Sequence, residues 1–272
     1  MVTSRPNGTL GDLPDLFRLL ELRQDATAAS FRNSKPASPA TVGSSFIARQ
    51  DGENPLLNGR PFKHTGLPIQ LYHPIFDIFT KALDTTEELG NSMYAQVETL
   101  LHACQEVYAD EQIRWASIEP YFWQILHSRI DEHRVQKCQA DGAITFTEQY
   151  GLLKAYCAIL EVKNEIGTGK SDPSIQGGES YGIYWSQDEM KQLRGICRCP
   201  SLIIAVAGPW MCVLGAIYLE HVVVQPLTDY IWLGHHPQQD QRPSYLARVF
   251  HALDISICEL KKYSGGHNSC TT

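Results

Sequence analysis

The chain has 272 residues, 43% of them hydrophobic, and a formal net charge of −7 at neutral pH. This length accommodates one large domain or two small ones, and the apolar content is sufficient for a packed core. The negative charge argues against broad adhesion to nucleic acid, which depends on Lys and Arg side chains that neutralise phosphates. It does not exclude a nuclease, because bound metal ions supply positive charge locally.

The beginning of the chain differs in composition from the remainder. Residues 33–39 are rich in Ser, Pro and Asn without periodicity, which is typical of disorder. Leucines at helical spacing indicate one short helix within 13–22. We therefore predict a disordered tail with a short helix over 1–67, a single domain over 68–263 and a second disordered tail over 264–272.

The domain is predicted to start with helices. Apolar residues recur at helical spacing over 73–83 and again over 93–107, which indicates two amphipathic helices. A third helix is expected from Ile118 to about Ile130. Ser117 would be its N-cap, and Pro120 fits its first turn.

Two strands are expected next, over 138–146 and 157–163, with an aromatic loop between them. Asp172 followed by Pro173 is typical of an N-cap and a first-turn proline, so a helix should run from there toward Trp185. The continuous apolar run 201–207 predicts a strand that is buried on both faces.

Further strands are predicted over 212–218 and 222–224, with a turn at Glu220 and His221. A helix over 245–260 closes the domain. The order helices, strands, helix, strands, helix predicts an α/β fold.

Charged residues interrupt the apolar pattern of the first two strands. Glu161 and Lys163 alternate with Leu160 and Val162, so the two charges share one face of a strand. A hairpin would bring Asp141 beside them. Two carboxylates and an ammonium suit a divalent metal ion, and the Lys could stabilise developing charge on a phosphate.

Structural alternatives exist for each of these residues. Asp141 precedes a Gly, and Asp-Gly is a common hairpin turn. Glu161 and Lys163 could instead lie on the solvent-exposed face of an edge strand, or they could form an ion pair with each other. Glu165 would lie on the same face, as an additional metal ligand or as a carboxylate at the rim of the site. The Trp and Tyr residues favour core and sheet-edge packing over base stacking; they are Tyr184, Trp185, Trp210, Tyr230 and Trp232.

Asp141 followed by Glu161-Val162-Lys163 resembles the signature of the PD-(D/E)XK nuclease-like superfamily, the restriction-endonuclease fold. Longer blocks are similar to the domain that precedes fungal-type protein kinase domains, a group related to Crinkler-type effectors. These blocks are 160–169, 171–176, 205–210 and 227–233. The resemblance covers roughly 68–263. It implies a restriction-endonuclease-like central mixed sheet flanked by helices, with an N-terminal helical extension.

The resemblance also implies roles for individual residues. Asp141 and Glu161 would hold one or two Mg²⁺ or Mn²⁺ ions, and Lys163 would orient the attacking water. Gln176 would support the substrate or the Lys from the following helix. An acidic residue on the helix before the strands often reaches the metal in this superfamily, which nominates Glu119. The implied reaction is hydrolysis of phosphodiester bonds in DNA or RNA.

Some features depart from the family pattern. Members with a Gln-x-x-x-Tyr element have three residues between the two, whereas this chain has four between Gln176 and Tyr181. The adjacent Gly177 and Gly178 are unfavourable inside a helix. A P-loop-like stretch over 164–171 has Asn164 where the motif requires Gly. A catalytically inactive module associated with a fungal-type protein kinase therefore stays open as an alternative.

The expected partners are nucleic acid and a protein kinase domain. The sequence contains no kinase motif, so a kinase domain would be a separate partner or belong to a longer protein. No membrane-spanning run and no charged-then-apolar leader is legible, which favours an intracellular protein of the nucleus or cytoplasm. Cysteines show no zinc-finger spacing, and Cys157, Cys212 and Cys258 are expected to be reduced core residues.

Overall fold

The computed structural model describes residues 13–135, 138–147, 154–234 and 242–265. They form an α/β fold in which helices flank an open mixed sheet. The helices are α1 (Leu13–Arg32), α2 (Ala37–Ala40), α3 (Gly43–Gln50), α4 (Ile75–Leu83), α5 (Asn91–Gln105), α6 (Glu111–Ile125), α7 (Pro173–Trp185), α8 (Lys191–Ile196) and α9 (Arg242–Gly265). The strands are β1 (Asp131–Val135), β2 (Cys138–Thr147), β3 (Lys154–Lys163), β4 (Ser201–Ala207), β5 (Trp210–Tyr218), β6 (Val222–Pro226) and β7 (Ile231–Trp232).

The strands lie in the order β1-β2-β3-β4-β5-β6, and β7 pairs with β5. Strands β1, β2 and β3 are antiparallel neighbours, whereas β3 and β4 are parallel. A parallel pair requires a crossover connection, and here helix α7 provides it. Strands β4, β5 and β6 complete the sheet in antiparallel pairs.

Helix α7 begins where the sequence predicts it. Asp172 Oδ1 accepts hydrogen bonds from the backbone N–H groups of Ser174 at 2.9 Å and Ile175 at 3.4 Å, and Pro173 occupies the first turn. The helix packs closely on the sheet. A side chain at Gly177 would collide with Ile203 of β4, so the glycine is explained by this close approach.

The core has two layers, one on each side of the sheet. One layer packs α4, α5, α6 and α9 against the strands, with Phe122 and Phe250 in edge-to-face contact at 5.8 Å. The other packs α7 and the N-terminal helices against the opposite face, where Tyr156 and Tyr184 stack at 3.5 Å. Strand β4 is buried along its whole length between the layers, as the sequence predicts.

The N-terminal part of the chain differs from the expected disordered tail. Helix α1 extends to Arg32, and Phe31 and Leu56 are fully buried in the layer beside α7. Gly182 leaves the space that the Phe31 ring fills. Apolar residues that look isolated in the sequence are buried because α7 supplies their partner surface. Residues 1–12 and 266–272 lie outside the described ranges.

Three local expectations also need correction. Helix α6 begins at Glu111 with Asp110 as its N-cap, whereas Ser117 lies inside the helix and donates to the Ile113 carbonyl. Pro120 is consequently in the helix interior. Cys258 forms a disulfide bond, whereas Cys157 and Cys212 are free and buried as expected.

Among the helices in the described ranges, none is both long enough and apolar enough to span a lipid bilayer.

Candidate functional site

The predicted residues meet where β2, β3, α6 and α7 come together. Gly142 of β2 pairs with Leu160 of β3, which places the preceding Asp141 beside Glu161. Asp141 Oδ2 accepts a hydrogen bond from the Val162 N–H at 2.7 Å. Asp141 and Gly142 both lie inside β2, so the alternative of an Asp-Gly turn is excluded. The glycine leaves room for Ile130.

Glu161 is fully buried and is held by helix α7. Gln176 Nε2 donates to Glu161 Oε2 at 2.6 Å, and Ser180 Oγ donates to Glu161 Oε1 at 2.6 Å. Positions 176 and 180 are one helical turn apart, so both side chains face the strand. Gln176 Oε1 in turn accepts from Ser171 Oγ at 3.1 Å. Gln176 therefore orients the carboxylate of Glu161.

Lys163 shares the strand face of Glu161, as the alternation predicts. Its side chain is only 5% exposed, and Nζ donates to Oε1 of Glu111 at 3.0 Å. Glu111 lies in the first turn of α6 and is about one-third exposed. On the helix before the strands, the acidic residue that contacts Lys163 is therefore Glu111.

Glu119 occupies a different position on α6. It lies eight residues after Glu111, which corresponds to about 12 Å along a helix axis. The carboxylates that raise the pKa of Asp141 by repulsion are Glu111 and Glu132. Sequence reasoning missed Glu111 because it placed the start of the helix at Ile118. Asp110 followed by a first-turn Glu is the N-terminal signal that could have revealed it.

The site carries more acidic than basic groups. Burial, together with the charges of Glu111 and Glu132, raises the pKa of Asp141 to about 6, although the Val162 N–H and Lys163 oppose this. Burial and then the charge of Asp141 raise the pKa of Glu161 well above its usual range. Asp141 and Glu161 thus interact electrostatically with Lys163, which pairs with Glu111, so the carboxyl groups of the cluster outnumber its one ammonium.

Arg114 fixes the segment that leaves β3. It is fully buried, and its Nη2 donates to Glu165 Oε1 at 2.8 Å and to the Glu106 carbonyl at 3.2 Å. Its Nε donates to Asn164 Oδ1 at 3.3 Å. Glu165 is therefore held in an ion pair with Arg114. Asn164, which stands where the P-loop motif requires Gly, is hydrogen-bonded to Arg114 of α6.

Tyr181 does not join the cluster. Its hydroxyl donates to the Cys199 carbonyl at 2.7 Å, and the ring is buried in the core layer beside α7. The extra residue in the Gln–Tyr spacing turns Tyr181 away from Gln176 around the helix, because each residue adds about 100°.

A cleft opens beside the acidic cluster. It has a volume of about 640 Å³, and Lys163 lies in its wall. Trp210 and Tyr230 also line it, whereas Tyr184 and Trp185 are buried core residues as expected. Trp232 packs edge-on against Trp210 at 5.0 Å. The aromatic residues predicted to be packing thus divide into a core group and a cleft group.

Within the ranges that the structure describes, no three His, Cys, Asp or Glu side chains are grouped closely enough to hold a metal ion by themselves. A cation here would rest on Asp141 and Glu161 and complete its shell with waters, which is how Mg²⁺ is commonly bound. The donor set of two carboxylates with raised pKa values fits such an ion, because its charge would offset the burial and the repulsion that raise them.

Comparisons of the chain with models of known protein families, with curated proteins and with solved structures give no match. Function is therefore inferred from the geometry and electrostatics of the site.

Proposed function

We propose that this protein is a metal-dependent nuclease that hydrolyses phosphodiester bonds in DNA or RNA. The observation that carries the proposal is a pair of buried carboxyl groups beside a buried ammonium. Asp141 and Glu161 lie on neighbouring strands and interact electrostatically with Lys163, which pairs with Glu111 of α6. Buried carboxylates with raised pKa values, placed beside a cleft, are typical of functional sites.

The element order agrees with the resemblance noted in the sequence. An acidic residue lies on the helix before the strands, the Asp lies on one strand, the Glu-x-Lys lies on the next, and a Gln follows on the crossover helix. The central sheet is mixed and flanked by helices. We therefore propose the restriction-endonuclease-like form of the α/β fold for 68–263.

Each residue has a distinct role in this proposal. Asp141 and Glu161 hold Mg²⁺ or Mn²⁺, with Gln176 and Ser180 orienting the Glu161 carboxylate. The bound ion supplies Lewis-acid stabilisation of the phosphoryl group. Lys163 orients the attacking water and stabilises negative charge that develops on the phosphate.

A second function is favoured by a specific observation. Both oxygens of Glu161 already accept hydrogen bonds, and Lys163 is engaged by Glu111. All of these side chains thus have hydrogen-bond partners within the protein. A catalytically inactive protein of the same fold would also retain such a network. The alternative is a recognition or regulatory module of the same fold, associated with a fungal-type protein kinase domain.

Cleavage assays with isosteric variants separate the two functions. Plasmid, single-stranded DNA and RNA would be incubated with the purified protein and Mg²⁺ or Mn²⁺. The variants Asp141→Asn and Lys163→Met remove charge with little change in volume, and Asp77→Asn, on the half-exposed ion pair with Lys81 in α4, is the matched control. We expect metal-dependent cleavage by the wild type and Asp77→Asn, and none by the other two.

Folding is checked for every variant by circular dichroism. If no substrate is cleaved, and calorimetry detects no binding of Mn²⁺ to the folded wild type, then the nuclease proposal fails. The inactive module is then the remaining candidate.

A further inference from the structure

We propose that the cleft beside Lys163 receives an unpaired base next to the scissile phosphate, so that the substrate is single-stranded nucleic acid. This inference rests on the proposed nuclease function and specifies its substrate class. The cleft and the acidic cluster share Lys163, which lines the cleft and pairs with Glu111. A group bound in the cleft therefore lies beside the Lys163 of the proposed reaction centre.

The size and the walls of the cleft suit a nucleobase. Its volume of about 640 Å³ falls within the usual range for small-molecule sites, roughly 300–1,000 Å³. Tyr230 is 44% exposed, so its ring is available for contact, while its hydroxyl is bonded to Ser174 and Cys212. The ring of Trp210 packs edge-to-face against that of Trp232 at 5.0 Å. Aromatic side chains fixed in this way stack on bases of any sequence.

The charges that line the cleft favour a phosphodiester strand. Lys163 and the exposed Lys170 are the cations in its wall. The two acidic residues there are engaged within the protein, since Glu165 pairs with Arg114 and Asp172 caps helix α7. Lys163 is itself paired with Glu111 and only 5% exposed, so the exposed Lys170 is the lining cation that phosphate oxygens reach first.

The same features disfavour duplex substrates. Bases inside a duplex are stacked and paired, and they enter a cleft only when the nucleotide is flipped out at an energetic cost. Duplex binding commonly depends on many Lys and Arg contacts along both backbones, and this chain has a net charge of −7. A local site with two lysines and two aromatic rings is suited to a short unpaired segment.

Binding in the absence of metal tests the inference separately from cleavage. Fluorescence anisotropy would be measured with the full-length wild type in EDTA at low salt, using labelled single strands of about eight nucleotides, as DNA and as RNA, and a duplex of the same sequence. We expect either single strand to bind at least about ten-fold more tightly than the duplex. The tighter of the two single strands identifies the preferred sugar.

Substitutions at Tyr230 test whether single strands bind in the cleft. Tyr230→Ala should raise the Kd for single strands by about ten-fold, because stacking on one aromatic ring is lost. Tyr230→Phe keeps the ring and loses the hydroxyl contacts to Ser174 and Cys212, so it should bind much more tightly than Tyr230→Ala. Trp123→Ala is the matched control: this Trp on α6 is 56% exposed and lies far from Glu111 along the helix.

The outcomes are distinguishable from those of the cleavage assay. Equal affinity for duplex and single strand, no detectable binding, or no effect of Tyr230→Ala overturns the inference, even if the protein cleaves DNA. Single-strand binding that depends on Tyr230, without cleavage in Mn²⁺ and without Mn²⁺ binding, supports the base-binding cleft and rejects the catalytic proposal.

Discussion

Helix α7 separates two buried charge clusters that differ in how their charges balance. On the side facing the N-terminal helices, Glu179 is fully buried and pairs with Arg49 Nε at 2.5 Å. The Arg49 guanidinium also lies 4.1 Å above the ring of Phe31. On the side facing the sheet, Glu161 is equally buried, but its hydrogen-bond partners Gln176 and Ser180 are neutral.

The electrostatic environments of the two glutamates show the same contrast. Burial raises the pKa of both carboxyl groups. At Glu179 the charge of Arg49 opposes the rise, whereas at Glu161 the next largest effect is the charge of Asp141, which adds to it. A buried acid with its own cation is compensated within the fold, and removal of the cation alone is costly. A buried acid beside other acids costs stability unless a cation binds.

The largest expected effect comes from breaking the balanced pair. Arg49→Met should lower the free energy of unfolding by about 3–5 kcal/mol, because Glu179 is left buried without its cation. The measurement is urea denaturation followed by circular dichroism. The double variant Arg49→Met with Glu179→Leu should regain most of the loss, since no uncompensated charge stays buried. Unchanged stability in Arg49→Met would mean that the pair is unimportant.

The next effect concerns the pH dependence of the acidic cluster. The pKa of Asp141 is about 6 in the folded protein and about 4 in an unfolded chain. The folded state therefore holds this proton more tightly, so the contribution of Asp141 to stability falls as the pH rises from 4 to 6 and levels off above 6. The loss is about 2–3 kcal/mol.

Asp141→Asn should lack this decrease, because the amide does not titrate and can still accept the Val162 N–H. Urea denaturation of both proteins at several pH values between 4 and 7 measures the difference. Parallel stability curves for the two proteins would show that the pKa of Asp141 is not raised in the folded protein.

Metal binding should stabilise the acidic cluster selectively. At a free Mn²⁺ concentration about ten times its Kd, linkage predicts about 1.4 kcal/mol of added stability, and thermal denaturation with and without Mn²⁺ measures it. Glu161→Gln should abolish the gain while keeping a hydrogen-bonding side chain at that position. The doubly substituted Arg49 and Glu179 protein should retain the gain. If Mn²⁺ stabilised the wild type, Glu161→Gln and the double variant equally, the metal would not bind at Glu161.

The smallest effect is expected for an ion pair at the surface. Arg23 of α1 pairs with Glu220 at 2.6 Å, but its side chain is 56% exposed. Water and salt screen such a pair, so Arg23→Ala should change stability by about 0.5 kcal/mol or less. The same urea assay applies. If Arg23→Ala lost as much stability as Arg49→Met, burial would not explain why the two ion pairs differ.

Sequence reasoning succeeded where the signal is local. The N-cap Asp172, the apolar run of β4 and the alternation that places Glu161 and Lys163 on one face all depend on residues that are close in the chain. Strand β1 was missed because its sequence Asp-Glu-His-Arg-Val shows no apolar alternation. It is a strand because β2 pairs with it.

The remaining parts of the site depend on long-range contacts. Glu111 is 52 residues from Lys163 in the chain, and no local pattern indicates that the two meet. The same holds for Phe31, which is buried because Gly182 of α7 leaves space for its ring.

The sequence by itself therefore determined the α/β class, most of the helices and strands, and the strand face that Glu161 and Lys163 share, because capping and strand alternation act over a few residues. The tertiary structure alone decided that Glu111 completes the cluster, that Gln176 orients Glu161 and that the N-terminal helices are packed on α7. Those contacts are set by the strand register and by the docking of α6 and α7 on the sheet, which no local sequence pattern specifies.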